Sequence, residues 1–184
     1  MIAGLLLAAG AGRRFGGPKA PHLYHGERLV DRGVRLLREA GCDTIVVVLG
    51  AWLGEVAGAT VIVNKEWERG QASSLLCGLE AIPESADHIC ILLVDQIGMT
   101  SEAISRVIHS SESVAAASVD AIFSPPVSLK REHFGTLHSD LSDALKDSTR
   151  SDQGAKHYFL SVGGALIPVD DVASLEDLDE LPSS

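Results

Sequence analysis

The chain is poor in aromatic residues and cysteines. Aromatic side chains make up 4% of its 184 residues, against 46% for hydrophobic residues as a whole, so the core must be mainly aliphatic, as in buried parallel sheets. The three cysteines, Cys42, Cys77 and Cys90, are widely spaced and form no C-x-x-C pair. This spacing argues against zinc binding and dithiol chemistry and is typical of core thiols in a reducing compartment.

Basic residues and long apolar runs are also in short supply. The formal net charge is −10, which argues against general binding of nucleic acids or anionic membranes, because both need a basic face. No segment approaches eighteen uninterrupted apolar residues, and no basic residues precede the short apolar run at the N-terminus. We therefore expect a cytoplasmic protein with neither a membrane nor a nucleic acid as partner.

Apolar segments alternate with amphipathic helical segments in the first part of the chain. Strands are predicted at 2–9, 44–49, 61–63 and 88–94, with helices beginning near Leu29, Ala72 and Ser101. This alternation is typical of a parallel sheet with helices on its faces. We predict an α/β fold, a three-layer α/β/α arrangement with a mostly parallel, Rossmann-like central sheet, in a single domain covering 1–184.

The pattern weakens in the second part of the chain. Short strands between 114 and 129, broken by Asp120 and by Pro125 and Pro126, predict a small inserted hairpin region that faces the substrate. Residues 132–145 are predicted to be helical, 158–169 form an apolar segment, and the acidic residues 170–180 resemble a helix.

Four glycines and three cations follow the first predicted strand. Within residues 7–19, Gly10, Gly12, Gly16 and Gly17 allow tight turns and close approach of the backbone to a ligand, while the fixed positive charges come from Arg13, Arg14 and Lys19. Open α/β sheets bind ligands beyond the carboxyl ends of their strands. The segment therefore predicts a loop that binds a polyphosphate.

Two better-known phosphate loops do not match this segment. The dinucleotide fingerprint G-x-G-x-x-G fails because Phe15 occupies the third glycine position. The P-loop G-x-x-x-x-G-K-S/T fails because Pro18 interrupts it and Ala20 replaces the magnesium-binding hydroxyl. An ordinary turn with solvated arginines is the alternative, although such turns seldom gather three cations.

Asp95 follows the most apolar predicted strand, at 88–94. A carboxylate at the end of a central strand lies at the ligand edge of such a sheet. Mg²⁺ prefers oxygen ligands and usually takes one or two carboxylates plus phosphate oxygens. Asp95 is therefore the best single candidate for a metal ligand, with capping of the following helix as the alternative.

These blocks resemble the MobA-like nucleotidyltransferases, most closely the molybdenum cofactor cytidylyltransferase branch. The signature L-A-A-G-x-G/S-x-R-F/M-G-x-x-K is matched without a gap between Leu7 and Lys19. Further blocks follow in the family's order: N-x-x-W-x-x-G-x-x-S-S-L from Asn64, V-D-Q at 94–96, a G-D-x-G-A-R-like block near Asp152, and a D-I-D-T-P-E-D-L-like block at 171–178.

The resemblance implies a set of site residues. Arg14, Lys19 and Asp95 would be catalytic, and Asp95 with Asp171 would hold Mg²⁺. The nucleotide would contact the loop, Ser74 and Asp95, with backbone donors from its glycine-rich part; the predicted nucleotide-binding residues are Leu7, Ala8, Ala9, Gly10, Ala11, Gly12, Arg13, Arg14, Lys19, Ser74 and Asp95. Residues 1–100 would form mainly the nucleotide-binding half and 101–184 mainly the acceptor-binding half.

The resemblance also implies the reaction, which is transfer of a nucleotidyl group from a nucleoside triphosphate to a phosphate monoester with release of pyrophosphate. Ala9 and Gln96 stand where the cytidylyl branch differs from the guanylyl branch, so CTP is the expected donor and molybdopterin the expected acceptor. Ile97, Ala173 and Leu175 depart from the family pattern, and these departures concern mainly the acceptor side.

Two other functions stay open from the sequence. The chain could be a guanylyl- or uridylyltransferase for the same pterin or for a sugar 1-phosphate. It could also be an inactive nucleotide-binding partner that helps deliver cofactor to a molybdoenzyme through transient contact. His22 and His25 are not expected to bind metal, because their loop lacks a third ligand.

Overall fold

The computed structural model describes residues 1–147 and 149–178. Nine strands and five helices occur in these ranges. The strands are β1 (Ile2–Ala8), β2 (Leu23–Tyr24), β3 (Glu27–Arg28), β4 (Thr44–Leu49), β5 (Thr60–Val63), β6 (His88–Leu93), β7 (Val114–Val119), β8 (Ile122–Lys130) and β9 (Ala165–Pro168). The helices are α1 (Leu29–Glu39), α2 (Gln71–Glu80), α3 (Ser101–Ile108), α4 (Phe134–Ala144) and α5 (Gly154–Ser161).

Seven of these strands form one sheet in the order β5-β4-β1-β6-β8-β7-β9. Strands β5, β4, β1 and β6 are parallel, and β9 is parallel to β7, whereas β8 runs antiparallel to both of its neighbours. The predicted mostly parallel sheet is confirmed. A separate two-stranded ribbon, β2 with β3, follows the glycine-rich loop.

Helices cover both faces of the sheet, which confirms the three layers. Side chains alternate along β1, so Leu6 packs in the cluster with α1 and α3, whereas Leu5 and Leu7 pack in the cluster with α2, α4 and α5. A Cβ at Gly33 of α1 would lie 2.7 Å from Leu6, and one at Gly78 of α2 would lie 2.5 Å from Leu5. The two glycines therefore let a helix approach β1 closely on each face.

The hairpin predicted at 114–129 is present, but its description as an inserted region is wrong. These residues form β7 and β8, which are integral strands of the central sheet. Asp120 and Ala121 supply the turn between them, with φ values of 52° and 60°, and such positive φ values are typical of two-residue hairpins. Pro125 and Pro126 lie where the register between β7 and β8 shifts. The pairing of β8 with β6 ends at Val127, so neither proline interrupts it.

The C-terminal predictions also need correction. The apolar segment 158–169 is divided between α5 and β9. Residues 170–172 form a turn and 173–178 have no regular secondary structure, so the predicted acidic helix is absent from the described part, while 179 and 180 lie outside it. In the ranges that the structure describes, no helix combines the length and apolar character needed to cross a membrane.

Candidate functional site

The glycine-rich loop begins where β1 ends, in the middle of the sheet. Gly16 and Gly17 donate their backbone N–H groups to the carbonyl oxygen of Gly12, at 2.9 and 3.1 Å, which closes a tight turn. Gly12 has φ of 57°, and a Cβ there would lie 2.0 Å from the carbonyl oxygen of Gly17. Glycine is therefore required at this position both by its φ and by the available space.

Phe15 anchors the loop to the rest of the domain. Its side chain is buried and packs with Leu29, Ile97 and Leu178, and its ring meets the His22 ring edge to face at a centroid distance of 4.8 Å. This packing explains why a large aromatic residue stands where the dinucleotide fingerprint has its third glycine. The loop is consequently held against α1 and the segment that follows β6.

Lys19 and Asp95 form an ion pair at the carboxyl edge of the sheet. The Lys19 Nζ atom donates to Asp95 Oδ2 at 2.9 Å, and the two side chains are only 14% and 25% exposed. Asp95 does not cap the following helix, because the cap of α3 is Thr100, whose Oγ1 accepts from the Ala103 N–H. The carboxylate therefore faces the glycine-rich loop, as predicted.

Two segments hold the turn at 95–99 in place. Arg32 of α1 donates to the carbonyl oxygens of Gln96, Ile97 and Met99 at 3.2, 2.8 and 2.8 Å. Burial lowers the pKa of this guanidinium below its usual value, although it remains charged. The turn is thereby fixed to the helix that also supports the loop.

The C-terminal segment holds the same turn from the other side. The Leu178 N–H donates to the Asp95 carbonyl oxygen at 3.0 Å, and the Gly98 N–H donates to that of Glu176 at 2.8 Å. Ser174 in turn donates its N–H to the Gly98 carbonyl oxygen at 3.1 Å. These pairings use the backbone groups that a helix would need, which explains why residues 173–178 are not helical.

The N-terminus of α2 completes this side of the site. Asn64 donates to the hydroxyls of Ser73 and Ser74 at 2.9 and 3.0 Å, and Ser73 donates to the carbonyl oxygens of Glu66 and Gly70. Neither serine caps the helix, since its N-cap is Gly70 without a side-chain bond. The Ala72 N–H of this first turn donates to the Ser151 carbonyl oxygen at 2.9 Å, while Gln71 and Ser74 line the site.

These elements enclose a cavity of about 270 Å³. Most of the predicted nucleotide-binding residues line it, and the structure thus brings together Leu7, Ala8, Ala9, Gly10, Gly12, Lys19, Ser74 and Asp95. Sequence reasoning did not assign Trp67, Gln71 or Ala20, which also line it. The signal for Gln71 was its position directly after the N-x-x-W-x-x-G block, at the start of α2.

Four predicted site residues lie outside the wall of this cavity. Ala11, Arg13 and Arg14 belong to the part of the loop beyond the cavity wall, and both arginine side chains are exposed. Asp171 forms a two-pronged ion pair with Arg106 at 2.6 and 2.8 Å, which lowers the pKa of its carboxyl. The structure therefore does not bring Asp171 together with Asp95.

The donor set around Asp95 fits a metal ion that is bound mainly by the nucleotide. No group of three histidine, cysteine, aspartate or glutamate side chains within 1–147 and 149–178 is arranged to hold a metal by itself. Mg²⁺ usually takes one or two carboxylates and completes its shell with phosphate oxygens and water. One carboxylate, Asp95, beside the glycine-rich loop is compatible with this requirement.

Gln96 has a structural role that the resemblance did not indicate. Its side chain is buried, and its amide group donates to the Ser124 hydroxyl at 3.1 Å and to the Pro125 carbonyl oxygen at 2.9 Å. These bonds join the turn after β6 to the neighbouring strand β8. Gln96 therefore positions the turn that carries Asp95, and it is absent from the wall of the cavity.

A second, larger cavity adjoins the first. Its volume is about 520 Å³, and it shares Leu7, Gln71 and Leu93 with the first cavity. Its other walls come from β6, β8, α5 and the two residues before α5, including Phe123 and His157. The two cavities together offer space for two molecules side by side at the carboxyl edge of the sheet.

Comparison with known proteins agrees with this geometry. The MobA-like NTP transferase domain matches residues 4–162. A nicotine blue oxidoreductase of Paenarthrobacter nicotinovorans is 33% identical over 189 aligned residues, which cover 97% of this chain and 92% of that protein.

Two solved structures show the same fold. Rv0371c from Mycobacterium tuberculosis H37Rv, in complex with manganese, is 21% identical, with a TM-score of 0.68 over 91% of this chain and 88% of that one. The 2-C-methyl-D-erythritol 4-phosphate cytidylyltransferase of Thermus thermophilus is 16% identical, with a TM-score of 0.68 over 95% and 92%. The matched residues 4–162 span the loop, Asp95 and both cavities, and the chain belongs to the family of MobA-like NTP transferases.

Proposed function

We propose that this protein is a Mg²⁺-dependent nucleotidyltransferase that transfers CMP from CTP to the phosphate of a small acceptor and releases pyrophosphate. Molybdopterin, the acceptor implied by the sequence resemblance, is the first one to test. The observation that carries the proposal is the contact between Lys19 and Asp95 at 2.9 Å, because it places a cation and a metal-binding carboxylate beside a loop suited to phosphates.

The reaction needs no nucleophile from the protein. An oxygen of the acceptor phosphate attacks the α-phosphorus of the triphosphate, a new P–O bond forms, and the bond to the bridging oxygen of pyrophosphate breaks. The protein therefore has to position the two reactants in line and to stabilise the charge that develops on the phosphate oxygens. A bound Mg²⁺ would neutralise part of that charge.

Each site residue has a defined task in this proposal. Backbone N–H groups at Gly10, Ala11 and Gly12 would contact the triphosphate, and Lys19 would exchange its contact with Asp95 for phosphate oxygens. Arg14 is exposed on the loop and would have to turn toward the triphosphate to bind it. The second cavity, beside Leu7 and Gln71, would hold the acceptor.

Support for the donor and the metal comes from two directions. The similarly folded protein of Thermus thermophilus is a cytidylyltransferase and that of Mycobacterium tuberculosis was solved with manganese, which favours CTP and a divalent metal. Asp171 stays a prediction as second metal ligand, since it would first have to leave Arg106, to which it is bound at 2.6 Å.

The test is pyrophosphate release by the purified protein. It is incubated with Mg²⁺, with CTP, GTP or UTP in turn, and with molybdopterin or a sugar 1-phosphate as acceptor. We expect release only with an acceptor present and fastest with CTP. Equal or faster turnover with GTP or UTP would overturn the choice of base, and triphosphate binding without turnover in every mixture would favour the inactive delivery partner.

A second candidate function is a nucleotide-dependent oxidoreductase. The observation that favours it is the near full-length similarity to the nicotine blue oxidoreductase, at 33% identity. The two cavities would then hold a reduced nicotinamide cofactor and an oxidised dye, although Phe15 stands where the dinucleotide fingerprint has its third glycine. Loss of reduced nicotinamide absorbance on adding a quinoid dye, with no pyrophosphate formed from any triphosphate, would replace the transferase proposal.

A further inference from the structure

The walls of the second cavity are largely apolar for a site that takes a phosphate ester. Eight of its thirteen lining residues are apolar: Leu7, Ile91, Leu93, Phe123, Pro125, Val127, Ala155 and Leu160. The polar ones, Gln71, Asp152, Gln153, Lys156 and His157, come from the start of α2 and from the segment at 152–157. The strands of the sheet contribute only apolar residues, whereas α5 contributes both kinds, with Ala155 and Leu160 apolar and Lys156 and His157 polar.

The apolar walls are formed by the sheet. Leu7, Ile91 and Val127 lie on adjacent strands, β1, β6 and β8, and all three side chains are buried. None of them offers a hydrogen-bond partner to a ligand, and a buried hydroxyl without a partner is unfavourable. A polyhydroxylated sugar ring lying on this surface would leave several hydroxyls unpaired.

The mouth of the cavity carries groups that bind ring faces. Phe123 is half-buried and packs on Phe159 with ring centroids 5.0 Å apart, and the Lys156 Nζ atom lies 5.4 Å from the Phe123 ring centroid. Leu160 lines the same mouth, although its side chain is 62% exposed. Aromatic rings and ammonium groups both bind flat conjugated molecules.

We infer that the second cavity takes an acceptor with a flat, conjugated ring system, rather than a sugar phosphate. The assignment of this cavity to the acceptor rests on the proposed function. The ring system would lie on the strand side chains of the cavity, beside the Phe123 ring of β8. Its phosphate would be directed past Gln71 and Leu93 into the first cavity, because these two residues line both cavities.

Binding of two phosphate monoesters tests the inference without any turnover. Isothermal titration calorimetry compares 2-naphthyl phosphate with glucose 1-phosphate, which have similar charge but an aromatic and a polyhydroxylated body. We expect naphthyl phosphate to bind at least about tenfold more tightly, since the apolar walls favour burial of its rings. Glucose 1-phosphate binding as tightly or more tightly would overturn the inference.

Two exposed leucines provide a matched pair of variants. Leu160→Gln keeps a good helix former in α5 but removes the apolar contact, and it should weaken naphthyl phosphate binding by about fivefold. Leu53→Gln changes a side chain that is equally exposed, at 64%, but lies outside both cavities, and it should leave binding unchanged. Equal effects of the two substitutions would contradict the assignment of the site.

Phe123→Leu tests the aromatic contact while keeping an apolar side chain in the sheet. We expect weaker naphthyl phosphate binding together with a melting temperature lowered by only a few degrees, about the value of the lost contact with Phe159. Unchanged affinity would overturn the stacking role. Failure of the proposed transfer reaction can be distinguished from failure of this inference. In the first case pyrophosphate release would be absent while the difference in affinity between the two phosphate esters persisted. Transfer with a preference for glucose 1-phosphate would overturn the inference alone.

Discussion

The Asp95 carboxylate can be tested by Asp95→Asn, which removes the charge and keeps the size of the side chain. The Lys19 Nζ atom lies 2.9 Å from Asp95 Oδ2, in an environment where the two side chains are 14% and 25% exposed. Charge-assisted bonds of this kind contribute about 1.5–3 kcal/mol. Partial exposure reduces this value, and the asparagine oxygen can still accept a bond from Lys19, so we expect a loss of about 1 kcal/mol.

The effect on activity should be far larger than the effect on folding. A loss of about 1 kcal/mol lowers the melting temperature of a chain of this length by about 2–4 °C. Loss of a group that stabilises charge in the transition state typically costs about 10²–10³-fold in rate. The assay measures pyrophosphate release at saturating CTP, with thermal unfolding of the same preparation.

Asp31→Asn is the matched control for this experiment. Asp31 is also a partly buried carboxylate with an ion pair, to Arg28 at 2.5 Å, but it lies outside both cavities. This variant should lose a similar amount of stability and keep its rate. Retention of at least about a third of the wild-type rate in Asp95→Asn would refute the role of Asp95, and equal rate losses in both variants would attribute the effect to stability.

Three further predictions concern the loop, pH and metal. Gly12→Ala should lower the affinity for CTP at least about tenfold, as measured by calorimetry, because a Cβ there meets the Gly17 carbonyl oxygen at 2.0 Å. Gly17→Ala places its Cβ in open space and should keep the wild-type melting temperature in thermal unfolding. Burial lowers the pKa of His88 in the folded protein. As pH drops, the imidazole is therefore protonated in the unfolded chain before it is protonated in the folded one, and the free energy of unfolding should fall below about pH 6.5. Urea unfolding of His88→Gln should show a weaker pH dependence. Chelation of Mg²⁺ should stop pyrophosphate release but leave the melting temperature of the nucleotide-free protein unchanged, because no three-ligand metal group occurs within 1–147 and 149–178; a lower melting temperature would indicate a structural metal.

The sequence predicted the first half of the fold because its signals there are local. The β-branched run at Thr44–Leu49, the apolar run from Ile2 and the amphipathic pattern of α1 each determine one element from near neighbours. The glycine-rich loop could be recognised for the same reason. Gly12 adopts a positive φ, and the need for glycine at such a position shows directly in the local sequence. Residues that line one cavity could thus be named in advance.

The second half could not be predicted in the same way because its contacts join distant segments. Strand β8 runs antiparallel between β6 and β7, and its proline pair lies at a register shift, which no local pattern reveals. Residues 173–178 have the composition of a helix start but are not helical, because their backbone bonds the turn at Gly98. Here tertiary hydrogen bonds override local preference.

The sequence by itself determined the layered α/β fold, the glycine-rich loop and the strand-end carboxylate, because turn glycines and apolar periodicity act over a few residues. Only the tertiary structure decided which charged groups meet. It placed Asp95 against Lys19, and it placed Asp171 against Arg106, 65 residues away in the chain. It also formed the apolar second cavity from β1, β6, β8 and α5, since side chains on separate strands become one wall only when the sheet is assembled.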